Sequence, residues 1–172
     1  LEVAPTGTPP ELNAWGGNGH AVLPAPHVVA VWNQAGGVGK TTLSANLAYL
    51  ASERGLRTLL IGLGAPDDLP LFIAGLKKRP NLTAWQSNPT REGLQSTLQK
   101  ASEALHVVAG FPDTFNEGAF LENEETHPAS LPNLVTTAIG EDYDVIVLDA
   151  SSPQSAASAI AIPRPIPRPA PV

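Results

Sequence analysis

The stretch His27-Val28-Val29-Ala30-Val31-Trp32-Asn33-Gln34-Ala35-Gly36-Gly37-Val38-Gly39-Lys40-Thr41-Thr42 decides how the chain is read. It opens with a β-branched run over residues 28–32, the signature of a strand buried on both faces. A glycine-rich turn follows directly. Residues 40–54 then read as a helix, with Leu43, Leu47 and Leu50 on one stripe and Gly55 just past its end. A strand, a glycine turn and Lys-Thr at a helix start make a phosphate-binding loop. Gly36, Gly37 and Gly39 let successive backbone N–H groups converge on one anion with no Cβ in the way. The positive end of the following helix adds to that attraction. Lys40 places a compact positive charge on the β- and γ-phosphates, the Thr41 hydroxyl is a hard oxygen ligand for Mg²⁺, and Thr42 reaches the α-phosphate. The expected cofactors are ATP and Mg²⁺. The expected nucleotide contacts are Gly36, Gly37, Val38, Gly39, Lys40, Thr41 and Thr42, with Lys40 also the residue assigned to catalysis.

Working outward, Arg57-Thr58-Leu59-Leu60-Ile61 reads as a second strand and Leu105-His106-Val107-Val108-Ala109 as a third. Asp144-Val145-Ile146-Val147-Leu148-Asp149 is the fourth and most hydrophobic. Residues 67–77, 91–104 and 129–140 read as helices, and the acidic segment 111–128 as an exposed loop. Strands alternating with helices require crossover connections, hence a mostly parallel sheet with helices on both faces. The fold class is α/β, a three-layer P-loop NTPase-like architecture.

Proline separates this domain from its flanks. The chain has 18 prolines in 172 residues, about twice the usual share, but five fall in residues 1–26 and five in 163–172. Residues 1–26 read as a Pro/Gly-rich linker or disordered arm, residues 27–160 as the nucleotide-binding domain, and residues 161–172 as a Pro-rich tail. That tail repeats Ile-Pro-Arg-Pro and is compatible only with extended or polyproline II backbone. The chain has no cysteine, which excludes disulfides and thiolate metal sites. It has no methionine and begins at Leu1, so an incomplete chain is expected. The net charge of −6 disfavours non-specific binding to DNA or an anionic membrane. No run reaches the roughly 18 apolar residues of a membrane span, and no secretory signal is visible, so the expected location is cytoplasmic.

The loop resembles that of the ParA/MinD family, whose pattern runs Asn-Gln-Lys-Gly-Gly-Val-Gly-Lys-Thr-Thr. Every position of residues 33–42 matches except Ala35, which stands where the family has its signature lysine. Gly55-Leu56-Arg57-Thr58-Leu59-Leu60-Ile61 is similar to the family's second strand, and residues 143–149 to its Walker B strand. The resemblance covers residues 27–158. It implies a homodimer in the full-length protein and makes Asp149 the Walker B carboxylate, holding Mg²⁺ together with Thr41.

The departures bear on catalysis. The family's signature lysine crosses a dimer interface to the partner's nucleotide, and its second strand ends Asp-x-Asp, which supplies the carboxylate that positions the attacking water. Here those positions are Ala35, Gly62 and Gly64. Glycine can neither orient a water by its side chain nor accept a proton. Asp67 and Asp68 lie close in sequence, but their loop would have to fold back several ångströms to substitute. Binding is therefore expected to be intact and turnover weak or absent. This combination resembles the atypical TadZ/CpaE branch, which helps localise pilus and secretion machinery, so a protein partner in a polar or secretion complex is implied.

Two other functions stay open: a competent partition-type ATPase, and a metabolic amidoligase or kinase sharing the loop. Members of the family continue past the Walker B strand, so a fragment or a frame-shift near residue 160 is expected. With the family's strand order, strand 28–32 would then be left as a sheet edge. The remaining features carry less. His20, His27, His106 and His127 share no metal-ligand spacing. Ser151 and Ser152 follow Asp149 at the ligand-facing strand end, Asn81-Leu82-Thr83 fits a glycosylation acceptor, and Trp85 reads as a packing residue.

Overall fold

A computed structural model describes residues 26–33, 35–64, 68–77, 80–111 and 130–150. The arm at 1–25, most of the acidic segment, Ser151, Ser152 and the Pro-rich tail lie outside the described residues. The strands are β1 (His27–Trp32), β2 (Thr58–Gly62), β3 (Gln99–Lys100), β4 (Leu105–Val108) and β5 (Val145–Ala150). The helices are α1 (Lys40–Glu53), α2 (Leu69–Phe72), α3 (Leu82–Ser87), α4 (Arg91–Thr97) and α5 (Leu131–Ile139).

The described strands form one sheet in the order β1-β5-β2-β4-β3. All neighbours are parallel except β3, which runs antiparallel to β4. β2 and β5 lie inside the sheet and every residue of both is buried, as continuous apolar runs in a parallel sheet require. Their alternate side chains feed two cores. Leu59, Ile61, Ile146 and Leu148 pack with Trp85, Leu94, Leu134 and Val135 on the α3–α4–α5 face. Leu60, Val145 and Val147 pack with Ala48, Leu69 and Val107 on the α1–α2 face. The result is helix, sheet, helix: the three-layer α/β arrangement. At the lower edge Asp144 clamps two strands, its Oδ2 accepting from the Arg57 backbone N–H at 2.8 Å while its own N–H donates to the Arg57 carbonyl at 2.7 Å.

The expected sheet edge is present, and it corrects the reading of β1 as buried on both faces. Among the described residues β1 pairs only with β5, leaving Val29 36% and Trp32 49% exposed. The α1 stripe is also corrected. Ser44, Ala48 and Ser52 face the sheet, whereas Leu43 and Leu50 are exposed and Leu47 is half-buried. Small side chains let the helix lie close on a sheet already filled by Leu60 and Val147, so the leucines turn outward. The helix ends as expected: Gly55 takes φ 78°, its N–H bonds to the Ser52 carbonyl, and the Leu56 N–H bonds to the Ala51 carbonyl, a two-bond closure of the last turn.

The helix expected over 67–77 is a single turn within its described part, since Ile73 is already extended. The helix expected over 91–104 stops at Thr97. The Thr97 hydroxyl donates to the Leu94 carbonyl at 2.7 Å, Leu98 is extended, and residues 99–100 leave to pair with β4. Leu82–Ser87 is a helix that periodicity did not reveal. Asn81 caps it, its Oδ1 accepting from the Thr83 N–H at 3.1 Å. Asn81 is only 5% exposed, so it serves as a cap. Trp85 is fully buried in the core, as a packing residue should be. Among the described residues no helix is long and apolar enough to cross a membrane.

Candidate functional site

β1 ends at Trp32 and the chain turns at once. Asn33 Oδ1 accepts from the Ala35 N–H at 2.8 Å, starting the loop with a local side-chain turn. Gly37 and Gly39 have φ of 68° and 86°, conformations that cost an L side chain about 1–2 kcal/mol. Gly39 is also the N-cap of α1, with no side-chain cap and no acidic residue in the first turn. The first N–H groups of this 14-residue helix are therefore left to an incoming anion. A Cβ built on Gly36, Gly37 or Gly39 meets no atom within 4 Å, so the cradle opens to free space rather than to packed protein.

Gly36, Gly37, Gly39, Lys40, Thr41 and Thr42 line one cleft of about 340 Å³, together with Asp68 and Phe72. The Lys40 ammonium donates to the Ala35 carbonyl at 2.9 Å, which holds it over the loop. Ala35 thus acts through its backbone, and its methyl side chain supplies no charge. Val38 is half exposed at the tip and does not line the cleft.

Asp149 sits behind Thr41 at the end of β5, 3% exposed. It accepts hydrogen bonds from the Thr41 and Ser44 hydroxyls, the latter at 3.0 Å. Ser44 Oγ lies equally 3.0 Å from the Lys40 carbonyl, so its single proton serves either acceptor. Burial pushes the Asp149 carboxyl above the usual carboxylate range, against the hydrogen bonds from Thr41 and Ser44 and the Lys40 charge, with Asp68 pushing the same way as burial. A buried carboxylate beside two hydroxyls is a hard-oxygen donor set suited to Mg²⁺. Gly62 pairs in register with Asp149, and Gly64 accepts from the Phe111 N–H. Both are buried. The end of β2 beside Asp149 is therefore bare of side-chain chemistry.

The structure thus gathers the loop residues and Asp149, and adds three that the sequence reading did not place. Ser44 stands one turn after Lys40, a hydroxyl on the sheet-facing side of α1. Phe72 forms a wall of the cleft. Asp68 reaches the cleft despite the expectation that its loop would have to fold back, because Leu69 beside it is fully buried among Leu60, Leu105 and Val107 and pins α2 against α1. Asp67 lies outside the described residues. His106, far from the cleft, pairs through Nδ1 with the Tyr143 hydroxyl at 2.7 Å. Among the described residues no cluster of three metal-ligating side chains occurs.

A family model described as an AAA domain matches residues 26–162. The chain belongs to that family, and within it to the ParA/MinD type of phosphate-loop proteins. The chromosome-partitioning ATPase Soj of Thermus thermophilus is 32% identical over 123 residues, covering 71% of this chain and 45% of that protein. The fold is shared with cobyrinic acid a,c-diamide synthase from Mycobacterium smegmatis, solved with an ATP analogue and magnesium, at 23% identity and TM-score 0.63, covering 78% of this chain and 56% of the other. It is shared also with the septum site-determining protein MinD from Pyrococcus horikoshii, solved with Mg-ADP, at 21% identity and TM-score 0.60, covering 78% and 54%. The chain spans less than half the length of the curated relatives it matches.

Proposed function

We propose that this chain binds ATP with Mg²⁺, hydrolyses it slowly or not at all, and works as a nucleotide-dependent positioning or assembly factor. The observation that carries the reading is the single cleft in which the open glycine cradle, Lys40 and Thr41 stand directly in front of the buried Asp149. The residues fit the group. The loop and helix N-terminus would hold the phosphates, Lys40 would neutralise them, and Thr41 with Asp149 would hold the cation. Mg²⁺, when bound, supplies charge neutralisation across the phosphate oxygens. Slow turnover rests on Ala35, Gly62 and Gly64, which offer no side chain to orient water or to reach across a dimer interface. A homodimer and a role in localising a pilus or secretion apparatus rest on the resemblance to the atypical branch.

A second reading, a partition-type ATPase, is favoured by the similarity to Soj. One experiment separates the two: calorimetric titration of ATP·Mg²⁺ into wild type and Lys40→Ala, beside a phosphate-release assay. Binding that Lys40→Ala weakens by about a hundredfold or more, with negligible release, supports the first reading. Release at ordinary ATPase rates, about 1 s⁻¹ or above, overturns it in favour of the second.

A further inference from the structure

Asp68 is a second carboxylate facing the phosphate cleft, and the family's loop pattern does not account for it. It lines the same cleft as Gly36, Gly37, Gly39, Lys40, Thr41 and Thr42. Its position is held from behind, because Leu69 is fully buried and the Leu71 N–H bonds back to the Asp68 carbonyl at 2.9 Å. Although Asp68 stands at the N-cap of α2, its side chain makes no capping hydrogen bond. The carboxylate is exposed, and no hydrogen bond or ion pair occupies it among the described residues. It is also close enough to Asp149 for the two charges to repel.

A free carboxylate on the wall of an anion-binding cleft does two opposite things. It repels a bare phosphate chain, and it attracts a divalent cation bound to that chain. Resting on the nucleotide-binding reading above, we propose that Asp68 is a positioning residue that makes nucleotide binding dependent on Mg²⁺. It would penalise metal-free nucleotide and attract a divalent cation that Thr41 and Asp149 would hold. It would thereby return to the cleft, from the start of α2, the negative charge that Gly62 and Gly64 remove from the end of β2. The ligand selected is a nucleotide–divalent-cation complex over the free nucleotide.

The test is the affinity for ATP by calorimetric titration, with Mg²⁺ and again in EDTA, for wild type, Asp68→Asn and Asp68→Glu. In EDTA, Asp68→Asn should bind about tenfold tighter than wild type, the scale of one carboxylate beside a phosphate chain in a water-open cleft. With Mg²⁺ that advantage should vanish or reverse, so the gain in affinity on adding Mg²⁺ shrinks by about the same factor. Asp68→Glu should keep a gain close to that of wild type, because the charge remains. Equal Mg²⁺ gains in wild type and Asp68→Asn, with both binding ATP, overturn the role of Asp68 and leave the nucleotide reading standing. A folded wild-type chain that binds no ATP in either buffer overturns both.

Discussion

Asp149 holds a charge where the fold disfavours one. Its carboxyl lies above the ordinary carboxylate range because it is buried, so the folded chain binds a proton there more readily than the unfolded chain does. Stability contributed at this site is present below the ordinary carboxylate range and is lost as pH rises through the raised value. When ionised the group opposes folding, and a bound cation would relieve it. Asp149→Asn should therefore raise the unfolding temperature of the ligand-free chain, by about 2–4 °C if the relief is near 1 kcal/mol, and should abolish any further rise on adding ATP·Mg²⁺; differential scanning calorimetry reads both. His106 has the opposite sign. Burial, then the Arg57 and Lys100 charges, hold its imidazole below the ordinary 6.5. Its stabilising effect is full above that value and is lost as pH falls through it to the lowered one. The urea midpoint should drop as pH falls through the window below about pH 7, and the drop should be smaller in His106→Gln. The neighbouring Tyr143 hydroxyl is pushed up to about 12, chiefly by burial, so it stays protonated throughout that window. The loop chemistry of Gly37, Gly39, Lys40 and Thr41 was legible because its geometry is local. Ser44 and Asp68 were not, since nothing in their immediate neighbours states which face of α1 meets the sheet or where the β2–α2 loop returns.

Elements were legible where one period dominates. β2, β4 and β5 are apolar runs, and α5 is a short helix that begins at the Ser130 cap, whose Oγ accepts from the Asn133 N–H, and buries Leu131, Leu134, Val135 and Ala138. They were illegible where tertiary contacts cut a pattern short. α4 ends at Thr97 because residues 99–100 gain strand hydrogen bonds to β4, an alternative that no local propensity announces. The start of α4 shows how closely it is seated. A Cβ on Gly93 would stand 1.7 Å from the Asn88 carbonyl oxygen, so Gly93→Ala must displace backbone between α3 and α4. That variant should lose about 1–3 kcal/mol, read as a lower urea midpoint, whereas alanine at a solvent-facing site of an ordinary helix is near neutral or stabilising.

For the whole molecule, the two cores on either side of the sheet make the cleft a property of the assembled layers. Nucleotide binding should report on global stability: at a hundred times its dissociation constant, ATP·Mg²⁺ should add about 2.7 kcal/mol to the unfolding free energy. Lys40→Ala at the same ligand concentration should show little of this in a chemical-denaturation series. Among the described residues β1 pairs on one side only, and Leu43 and Leu50 of α1 are exposed. What the sequence by itself determined was the α/β class, the phosphate loop and the absence of side-chain chemistry at Ala35, Gly62 and Gly64. Each follows from residue types at fixed short spacings, where backbone geometry leaves few alternatives. The tertiary structure alone decided that Ser44, not Leu43, faces the sheet, that β1 is not buried on both faces, and that Asp68 reaches the cleft. Those outcomes depend on which surfaces pack best once the layers close, and burial of Leu69 or Ala48 is a contest between distant segments that no local stretch of chain encodes.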